Sequence, residues 1–447
     1  MTVSMISLGC AKNLVDSERM MHLLAAGGYT LVQEPAEAEI VVINTCGFIQ
    51  SAKEEAIETI LETTALKDEG TVRYVIVTGC LAERYKDEVA EQIPEIDAVI
   101  GIGDQADICR VLDRVTKGSR VTQFAPKCNM PLTGERLLAT LPFFAYLKIA
   151  EGCSNGCTYC AIPQIRGKYR SVPMEEVLGE ARSLAARGVT ELVVIAQDTT
   201  RYGEDLYGSS YLPELLRQLC KIDGFRWIRV LYCYPERITD ELIDTIANEP
   251  KIVKYLDIPI QHCSGKILKA MRREGDISTL RTLFAKLRDR VSGITLRTTL
   301  LVGFPGETEE DFEELSGFVN EMRFDRMGCF AYSEEENTVA AKMPDQVDEA
   351  LRQKRADLLM EQQMTIMAEL NAARIGTVTE AVIEGYDTWS GCHIARTPAD
   401  APDIDGRLLL RGMPEDSLEI GQYVTARITD IADYDLIGEV IAGEYAQ

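Results

Sequence analysis

The first third of the chain alternates short apolar runs with longer amphipathic stretches. Runs rich in Val and Ile predict strands, and the stretches between them predict helices that cover a parallel sheet. The predicted strands span residues 3–8, 40–44 and 74–77, and the predicted helices span 14–26 and 52–64. A segment rich in Gly and Pro follows and breaks the pattern. We therefore predict an N-terminal parallel-sheet α/β domain over residues 1–136.

The middle of the chain repeats the alternation six times. Its predicted strands span residues 144–149, 191–195, 227–231, 255–258, 295–302 and 327–332. Six β-α units are too few for a closed eight-fold barrel, so we predict an open partial (βα)6 barrel with its site at the C-terminal strand ends. Residues 348–374 predict one long packed linker helix that completes a domain over 137–374. Its apolar stripe is Leu351, Leu358, Leu359, Met364, Met367 and Leu370.

The last part of the chain changes to short alternating runs separated by Gly and Pro. The runs span residues 378–384, 407–410, 423–431 and 435–440. This pattern is typical of a small antiparallel β barrel or sandwich. We predict such a barrel as a separate substrate-binding domain over residues 375–447.

Composition and charge narrow the class of protein. The chain has 46% hydrophobic and 26% charged residues, which is typical of a globular protein. No uncharged apolar run approaches the roughly 18 residues of a membrane span, and the first residues lack a signal-peptide pattern, so we expect a cytoplasmic protein. The net charge of -24 disfavours non-specific binding to phosphate backbones. The 13 Cys against 3 His point to metal binding or catalysis, since cytoplasmic disulfides would be reduced.

Three of the cysteines stand close together directly after the first central strand. Cys153, Cys157 and Cys160 form a C-x3-C-x2-C pattern. Thiolates are the preferred ligands of iron–sulfur clusters, and this spacing lets one loop hold three corners of a 4Fe–4S cubane. The fourth iron then stays open for chemistry, as the open position of catalytic zinc does. The alternative is a structural zinc knuckle that lacks its fourth ligand.

Three further cysteines each follow a predicted strand of the N-terminal domain. Cys10, Cys46 and Cys80 all lie just before a predicted helix. Parallel strands place their C-terminal ends along one edge of the sheet, so these thiols can converge and hold a second cluster. The alternative is that each is a small buried residue at a tight turn, as free Cys often is.

The cluster motif resembles that of the radical S-adenosylmethionine (SAM) enzymes, because an aromatic residue, Tyr159, precedes its last cysteine. The resemblance implies that SAM chelates the open iron and is cleaved to a 5′-deoxyadenosyl radical. It also implies that Tyr159 lies near the adenine. The radical chemistry would belong to the cofactor, while the protein supplies placement and excludes water.

The order of the three predicted domains resembles the methylthiotransferase family over nearly the whole chain, and the last domain resembles a TRAM module. The matching strings are residues 7–18, 44–49, 166–171, 195–203, 257–262 and 298–308. The strings 12–17 and 197–202 most resemble the type that methylthiolates the β carbon of an aspartate in ribosomal protein S-twelve of the small subunit. This implies two 4Fe–4S clusters, SAM as both methyl donor and radical source, an electron donor and a sulfur donor. Ala11 stands where the family pattern leads us to expect Pro.

The charge of the C-terminal domain bears on the substrate. This domain has 14 acidic and 4 basic residues. An RNA-binding barrel needs a basic groove, so this surface would repel a tRNA and attract a basic ribosomal protein. Acidic residues that we expect on this surface are Glu380, Glu384, Asp387, Asp430, Asp433 and Asp435. Two alternatives stay open: a tRNA adenosine methylthiotransferase of the same family, and a non-enzymatic RNA-binding protein with structural metal.

Other candidates lie at or just beyond predicted strand ends in the central domain. We expect Gln197, Gln261 and Arg297 to contact SAM or substrate there. His262 is either structural or catalytic, and Glu307 is a further candidate contact. Gly303 and Gly306 are expected to allow a tight turn and a close backbone approach. The remaining seven cysteines are interpreted as free thiols: Cys109, Cys128, Cys220, Cys233, Cys263, Cys329 and Cys392.

Overall fold

The computed structural model describes residues 1–441 and contains three separate main sheets. The first sheet has six strands in the order β2-β1-β3-β4-β5-β6, and every pairing in it is parallel. Its strands are β1 (Thr2–Ser7), β2 (Thr30–Leu31), β3 (Ile40–Thr45), β4 (Tyr74–Gly79), β5 (Ala98–Ile100) and β6 (Val121–Gln123). Its helices are α1 (Ala11–Ala26), α2 (Gln50–Asp68), α3 (Cys80–Tyr85), α4 (Asp87–Gln92) and α5 (Ile108–Thr116).

The predicted N-terminal α/β unit is confirmed. Every residue of β3 is buried, because helices cover both faces of a parallel sheet and a central strand is then apolar throughout. The sequence pattern did not identify β2, β5 and β6, since each has only two or three residues. The strands β1, β3 and β4 lie side by side, which brings their C-terminal ends to one edge.

The second sheet is an open partial barrel, as predicted. Its six parallel strands lie in the order β14-β13-β12-β11-β10-β7, and the edge strands β7 and β14 are not paired with each other. The strands of this region are β7 (Phe144–Lys148), β8 (Ala150–Glu151), β9 (Arg170–Ser171), β10 (Glu191–Ile195), β11 (Trp227–Val230), β12 (Ile252–Asp257), β13 (Thr295–Val302) and β14 (Arg326–Ala331). The short strands β8 and β9 pair antiparallel beside the barrel.

Helices cover the outer face of the open barrel. They are α6 (Ile162–Arg166), α7 (Met174–Ala186), α8 (Glu204–Tyr207), α9 (Leu212–Cys220), α10 (Asp240–Asn248), α11 (Gly265–Ala270), α12 (Ile277–Arg290), α13 (Glu309–Met322) and α14 (Glu349–Ala372). The long helix α14 packs against β14 and α13 and is the predicted linker helix.

The predicted apolar stripe of α14 is wrong in part. Leu359 and Met367 are buried and Leu370 is half-buried, but Leu351, Leu358 and Met364 are exposed. The buried face instead includes two arginines, Arg352 and Arg355. They are buried because Arg352 donates to the Tyr332 carbonyl at 3.2 Å and Arg355 to the Glu307 carboxylate at 2.8 Å.

The C-terminal sheet is a closed five-stranded barrel in the order β15-β16-β17-β19-β18. Its strands are β15 (Val378–Asp387), β16 (Cys392–Arg396), β17 (Leu408–Leu410), β18 (Tyr423–Ala432) and β19 (Asp435–Val440). Four of its pairings are antiparallel, but β17 pairs parallel with β19, because β18 lies between them in the chain and returns on the other side. The pattern missed β16, and residues 442–447 of the predicted domain lie outside the described residues. The boundaries at 136 and 374 stay predictions.

The small barrel packs against the N-terminal ends of the central strands, where Glu191 at the start of β10 pairs with Arg396 and Arg326 at the start of β14 pairs with Asp400. The ring of Tyr423 meets that of Trp227 edge-on, with 5.0 Å between their centroids. Ala401 joins the same apolar cluster as Tyr146 and Tyr255, which line the inside of the open barrel. Within residues 1–441, the helices are too short or too polar to cross a membrane.

Candidate active site

The three N-terminal thiols follow adjacent strands at one edge of the sheet. Ser7 of β1 is in register with Asn44 of β3, and Thr45 is in register with Gly79 of β4, so the strand ends are level. The loops that follow these strands are in close contact with one another. A Cβ on Gly9, which has φ +86°, would lie 2.8 Å from Cys46 Sγ, and a Cβ on Gly47 would lie 2.7 Å from the Leu81 Cα. The structure thus gathers Cys10, Cys46 and Cys80 at one edge.

Positive charge surrounds this set of thiols. Burial alone would raise the pKa of the Cys10 thiol, but Lys12 and Arg166 hold its pKa below the usual value. Lys12 is buried, forms no ion pair within residues 1–441, and lies 3.3 Å from the ring centroid of Tyr232. A buried cation without a carboxylate is costly unless another negative group balances it. The residues therefore suit an anionic group such as a thiolate-bound iron–sulfur cluster.

The second set of thiols occupies the loop that follows β8. Cys153 and Cys157 are buried and Cys160 is half-buried. Burial raises the pKa of Cys153 to about 11 and also raises that of Cys160. Asn155 fixes the loop, because its amide donates to Asp198 at 2.8 Å and its carbonyl accepts from Arg201 at 2.8 Å.

An aromatic residue, Tyr234, and a cationic residue, Arg273, lie beside this loop. Cys157 Sγ lies 3.9 Å from Tyr234 Oη, and the guanidinium of Arg273 lies 4.2 Å from the Tyr234 ring centroid. Arg273 is buried, and its Nε has no hydrogen-bond partner within the described residues. An orphaned buried donor beside thiols again suits an anionic occupant.

The two sets of thiols face each other across the seam between the first two sheets. Cys80 packs with Ala161 and Ile165 in one small buried apolar cluster. Ala161 directly follows Cys160, so the last thiol of one set touches the chain beside the last thiol of the other. This contact brings Cys80 of the first set next to the segment that holds the second set.

A buried network of four charges crosses the same seam. Arg166 Nη1 donates to Asp16 at 2.7 Å and to Glu151 at 3.2 Å, and Lys148 Nζ bonds Asp16 and, at 2.7 Å, Glu151. All four side chains are almost fully buried. Lys148 and Arg166 hold the pKa of Glu151 well below its usual range against the effect of burial. This network orients the residue two positions before Cys153.

Asn13 extends the network to the first set of thiols. Its amide donates to the Leu8 carbonyl at 2.7 Å and the Asn44 carbonyl at 3.1 Å, and its carbonyl accepts from Arg166 at 3.0 Å. Sequence reasoning did not assign these residues a role. The family resemblance could have pointed to these residues. Asn13 and Asp16 lie in string 12–17 and Arg166 begins string 166–171, and both strings carried that resemblance.

The thiols do not form a single-ion site. Across residues 1–441, no three Cys, His, Asp or Glu side chains are placed to hold one metal ion. Three thiolates of a cubane bind three different iron atoms and therefore need not converge on one point. The arrangement is compatible with a cluster.

The other predicted contacts occupy different positions. Tyr159 packs against an apolar cluster that contains Phe304 and Tyr332. Gln197 is half-buried just beyond β10, and Gln261 has φ +69° where it bridges to Leu300 beyond β12. Contact of Tyr159, Gln197 and Gln261 with SAM stays a prediction.

Arg297 does not lie at the end of its strand. It is the third residue of β13, in register with Asp257, to which it donates at 2.8 Å. Its Nε lies 3.5 Å from Asp405 of the C-terminal domain. Whether Arg297 also contacts SAM stays a prediction.

His262 and Glu307 have structural partners. His262 Nδ1 accepts from the Ser264 amide at 3.0 Å, and burial lowers the pKa of its imidazole to about 4, so the ring is neutral at pH 7. Glu307 accepts from the Gly303 amide at 2.8 Å and pairs with Arg355. Gly303 has φ +71°, and a Cβ there would overlap Arg352, which confirms the expected close approach.

The seven other cysteines form no disulfide within residues 1–441. They are distributed over all three units of the chain, and Cys128 is exposed while Cys233, Cys263 and Cys392 are buried. The interpretation of these residues as free thiols stays a prediction.

A cavity of about 290 Å³ opens where all three units meet. Cys10 lies at its N-terminal wall, Tyr146 and Tyr232 line the barrel side, and Asp403 and Ile404 come from the C-terminal domain. The complete lining is Ser7, Gly9, Cys10, Ala11, Leu14, Tyr146, Leu231, Tyr232, Asp403 and Ile404. The cavity therefore connects a predicted cluster ligand with the domain predicted to bind substrate.

Family models match each of the three units. Residues 2–101 match the uncharacterized protein family UPF0004, residues 147–319 match the radical SAM superfamily, and residues 375–441 match the TRAM domain. The structure of the radical SAM methyltransferase TsrM from Kitasatospora setae, with tryptophan substrate and a SAM analogue bound, is similar in fold. The TM-score is 0.54 at 16% identity, and the match covers 74% of each chain.

Curated relatives match over nearly the full length. The chain is 49% identical to the ribosomal protein uS12 methylthiotransferase RimO of Lachnoclostridium phytofermentans, over 98% of this chain and 99% of the relative. It is 48% identical to the RimO of Geobacter sulfurreducens, over 98% of each chain. The chain therefore belongs to the RimO family of ribosomal protein uS12 methylthiotransferases, within the radical SAM superfamily.

Proposed function

We propose that the chain adds a methylthio group to the β carbon of an aspartate in ribosomal protein uS12, with SAM as methyl donor and radical source. Family membership supports the reaction and the target. The observation that carries the proposal is the contact of Cys80 with Ala161, because it joins two separate sets of three thiols at one seam. An unactivated C–H bond is beyond ordinary acid–base catalysis, so the reaction needs a radical to break it. A second centre is needed for the methylthio group that is then transferred.

The proposal assigns each thiol set to one 4Fe–4S cluster. Cys153, Cys157 and Cys160 would hold the cluster that binds SAM, and Cys10, Cys46 and Cys80 would hold the second one. When bound, the clusters and SAM would supply one-electron reduction, a carbon radical and a methyl group, and the second cluster would carry the sulfur that the donor provides. Tyr159, Gln197, Gln261 and Arg297 are the proposed SAM contacts.

The residues of the chain position the two thiol sets and line the cavity beside them. The buried Asp16–Lys148–Glu151–Arg166 network holds the two thiol sets in one relative placement, because Asp16 of the first unit meets both of its cations only when the two units dock. The cavity beside Cys10 is lined on its barrel side by Tyr146, Leu231 and Tyr232.

The negative charge of the C-terminal domain supports a protein target over tRNA. Fewer of the acidic residues expected on its surface are exposed there than the sequence suggested. Glu380 and Glu384 pair with arginines and are therefore structural. Asp387 and Asp435 are half-buried and accept hydrogen bonds from within the domain. The residues of this set that remain exposed are Asp430 and Asp433. An acidic surface speeds and orients encounter with a basic protein.

The proposed reaction also implies partners and a location. It requires an electron donor and a sulfur donor, which we propose as further partners of unidentified type. Because ribosomes are made in the cytoplasm, a uS12 target implies a cytoplasmic enzyme.

The test compares uS12 and tRNA from cells that lack the chain. We expect mass spectrometry to show loss of the methylthio mass from uS12 and no change in the tRNA nucleosides, with recovery after complementation. Loss of a tRNA methylthio nucleoside instead would establish the tRNA alternative. Purified protein with neither iron, acid-labile sulfide nor SAM cleavage under reducing anaerobic conditions would support the non-enzymatic alternative.

A further inference from the structure

The loop between β16 and β17, residues 397–407, carries three aspartates with different surroundings. Asp400 is buried and binds Arg326 at 2.6 Å. Asp405 accepts from Tyr255 Oη at 2.6 Å and from the Ala401 amide at 2.9 Å. These two carboxylates anchor the loop inside the open barrel.

Asp403 differs from both neighbours. It is exposed, it forms no ion pair within residues 1–441, and its one side-chain hydrogen bond there is from Tyr146 Oη at 3.2 Å. Its carboxylate lines the same cavity as Cys10. Ile404 beside it is 43% exposed and lines the cavity too.

The backbone at Asp403 is held in an unfavourable conformation. Its φ is +63°, a region that residues other than Gly seldom adopt, and Asn and Asp tolerate it best. The anchors at Asp400 and Asp405 on either side fix the loop in this form. The loop therefore presents one unpaired carboxylate and one apolar side chain at the mouth of the cavity.

We propose that Asp403 binds a Lys or Arg side chain of the target protein next to the residue that is modified, while Ile404 packs against the same segment. This inference rests on the proposed function. It makes the C-terminal domain part of the cavity mouth rather than a remote docking surface. A carboxylate at this position selects a cationic segment and repels a phosphate backbone.

The first test measures the Kd of cluster-loaded protein for purified uS12, without SAM, and the KM for uS12 during turnover. We expect D403N to weaken binding and raise KM by about tenfold, which is the scale of one lost charge-assisted hydrogen bond. The matched control is D345N. Asp345 is exposed and has φ +60°, but it lies in the central unit and does not line the cavity, so its variant should change Kd less than about twofold.

The second test reverses the charge. Each Lys and Arg of uS12 that flanks the modified residue is changed to Glu and paired with D403K, which gives a double-mutant cycle. We expect one pairing to restore binding by about fivefold or more, whereas D345K restores none. Equal Kd values for wild type, D403N and D403K would overturn the inference while methylthiolation of uS12 continued. Absence of methylthiolation by the wild-type protein would instead overturn the proposed function.

Discussion

The guanidinium of Arg166 donates a hydrogen bond to the carboxylate of Asp16 at 2.7 Å, with both side chains fully buried. Asp16 lies on α1, the helix that Cys10 begins, and Arg166 ends α6, which follows Cys160. One contact thus links the two chain segments that carry the thiols.

Replacement of Arg166 should destabilise the metal-free protein. R166M leaves Asp16 and Glu151 buried with Lys148 alone, and breaking a buried ion pair costs about 3–5 kcal/mol. The control is R281M, which removes an exposed pair with Glu321 and should cost about 0–1 kcal/mol. Urea unfolding followed by circular dichroism measures both. Equal losses would mean that the seam does not depend on this network.

Each thiol set should account for half of the bound iron. Changing Cys10, Cys46 and Cys80 together to Ala should halve iron and acid-labile sulfide and abolish methylthio transfer. The triple change at Cys153, Cys157 and Cys160 should also halve the iron and abolish SAM cleavage. C128A changes an exposed thiol that belongs to neither set and should alter neither quantity. Full iron content in either triple variant would contradict the assignment.

Gly9 should be needed to keep the first set of thiols in place. G9A would put a methyl group 2.8 Å from Cys46 Sγ at a φ of +86°, so the Cys46 loop must move. G28A has nearly the same φ, +87°, but meets no atom within 4 Å, so it should show only the backbone cost of about 1–2 kcal/mol. We expect G9A to lose about half of the iron after reconstitution and G28A to retain it, since each cubane takes its ligands from one thiol set. The same iron content in both variants would show that the contact is unimportant.

His262 should make stability depend on acid pH. Burial lowers its pKa to about 4 from 6.5, so between these values the unfolded chain binds a proton that the folded chain does not. The contribution of His262 to the free energy of unfolding is therefore fully present above pH 6.5 and is lost as the pH falls toward 4. A shift of this size corresponds to roughly 3 kcal/mol. The urea midpoint of H262Q should fall less than that of wild type between about pH 6.5 and 4.5, and parallel curves would refute the burial of a neutral ring.

The sequence predicted elements best where the local pattern was long. The strands at 191–195 and 295–302 match their observed bounds, and the long helix α14 lies within two residues of its prediction. The strands β2, β5 and β6 were missed, since two or three positions carry no periodicity. The predicted apolar stripe of α14 was wrong in part because Arg352 and Arg355 are buried instead. Their hydrogen-bond partners lie far away in the sequence, which no local pattern reveals.

The sequence by itself determined the residue types and the order of elements: three closely spaced cysteines after one strand, three more after successive strands, and an acidic final barrel. Strand-end chemistry follows from the parallel βα pattern, so the candidate thiols could be named from that pattern alone. Only the tertiary structure decided that Cys80 meets Ala161, that four buried charges lock the seam, and that Asp403 reaches the cavity of Cys10. These relationships join distant parts of the chain, and their free energy comes from burial and charge pairing that exist only after the units dock.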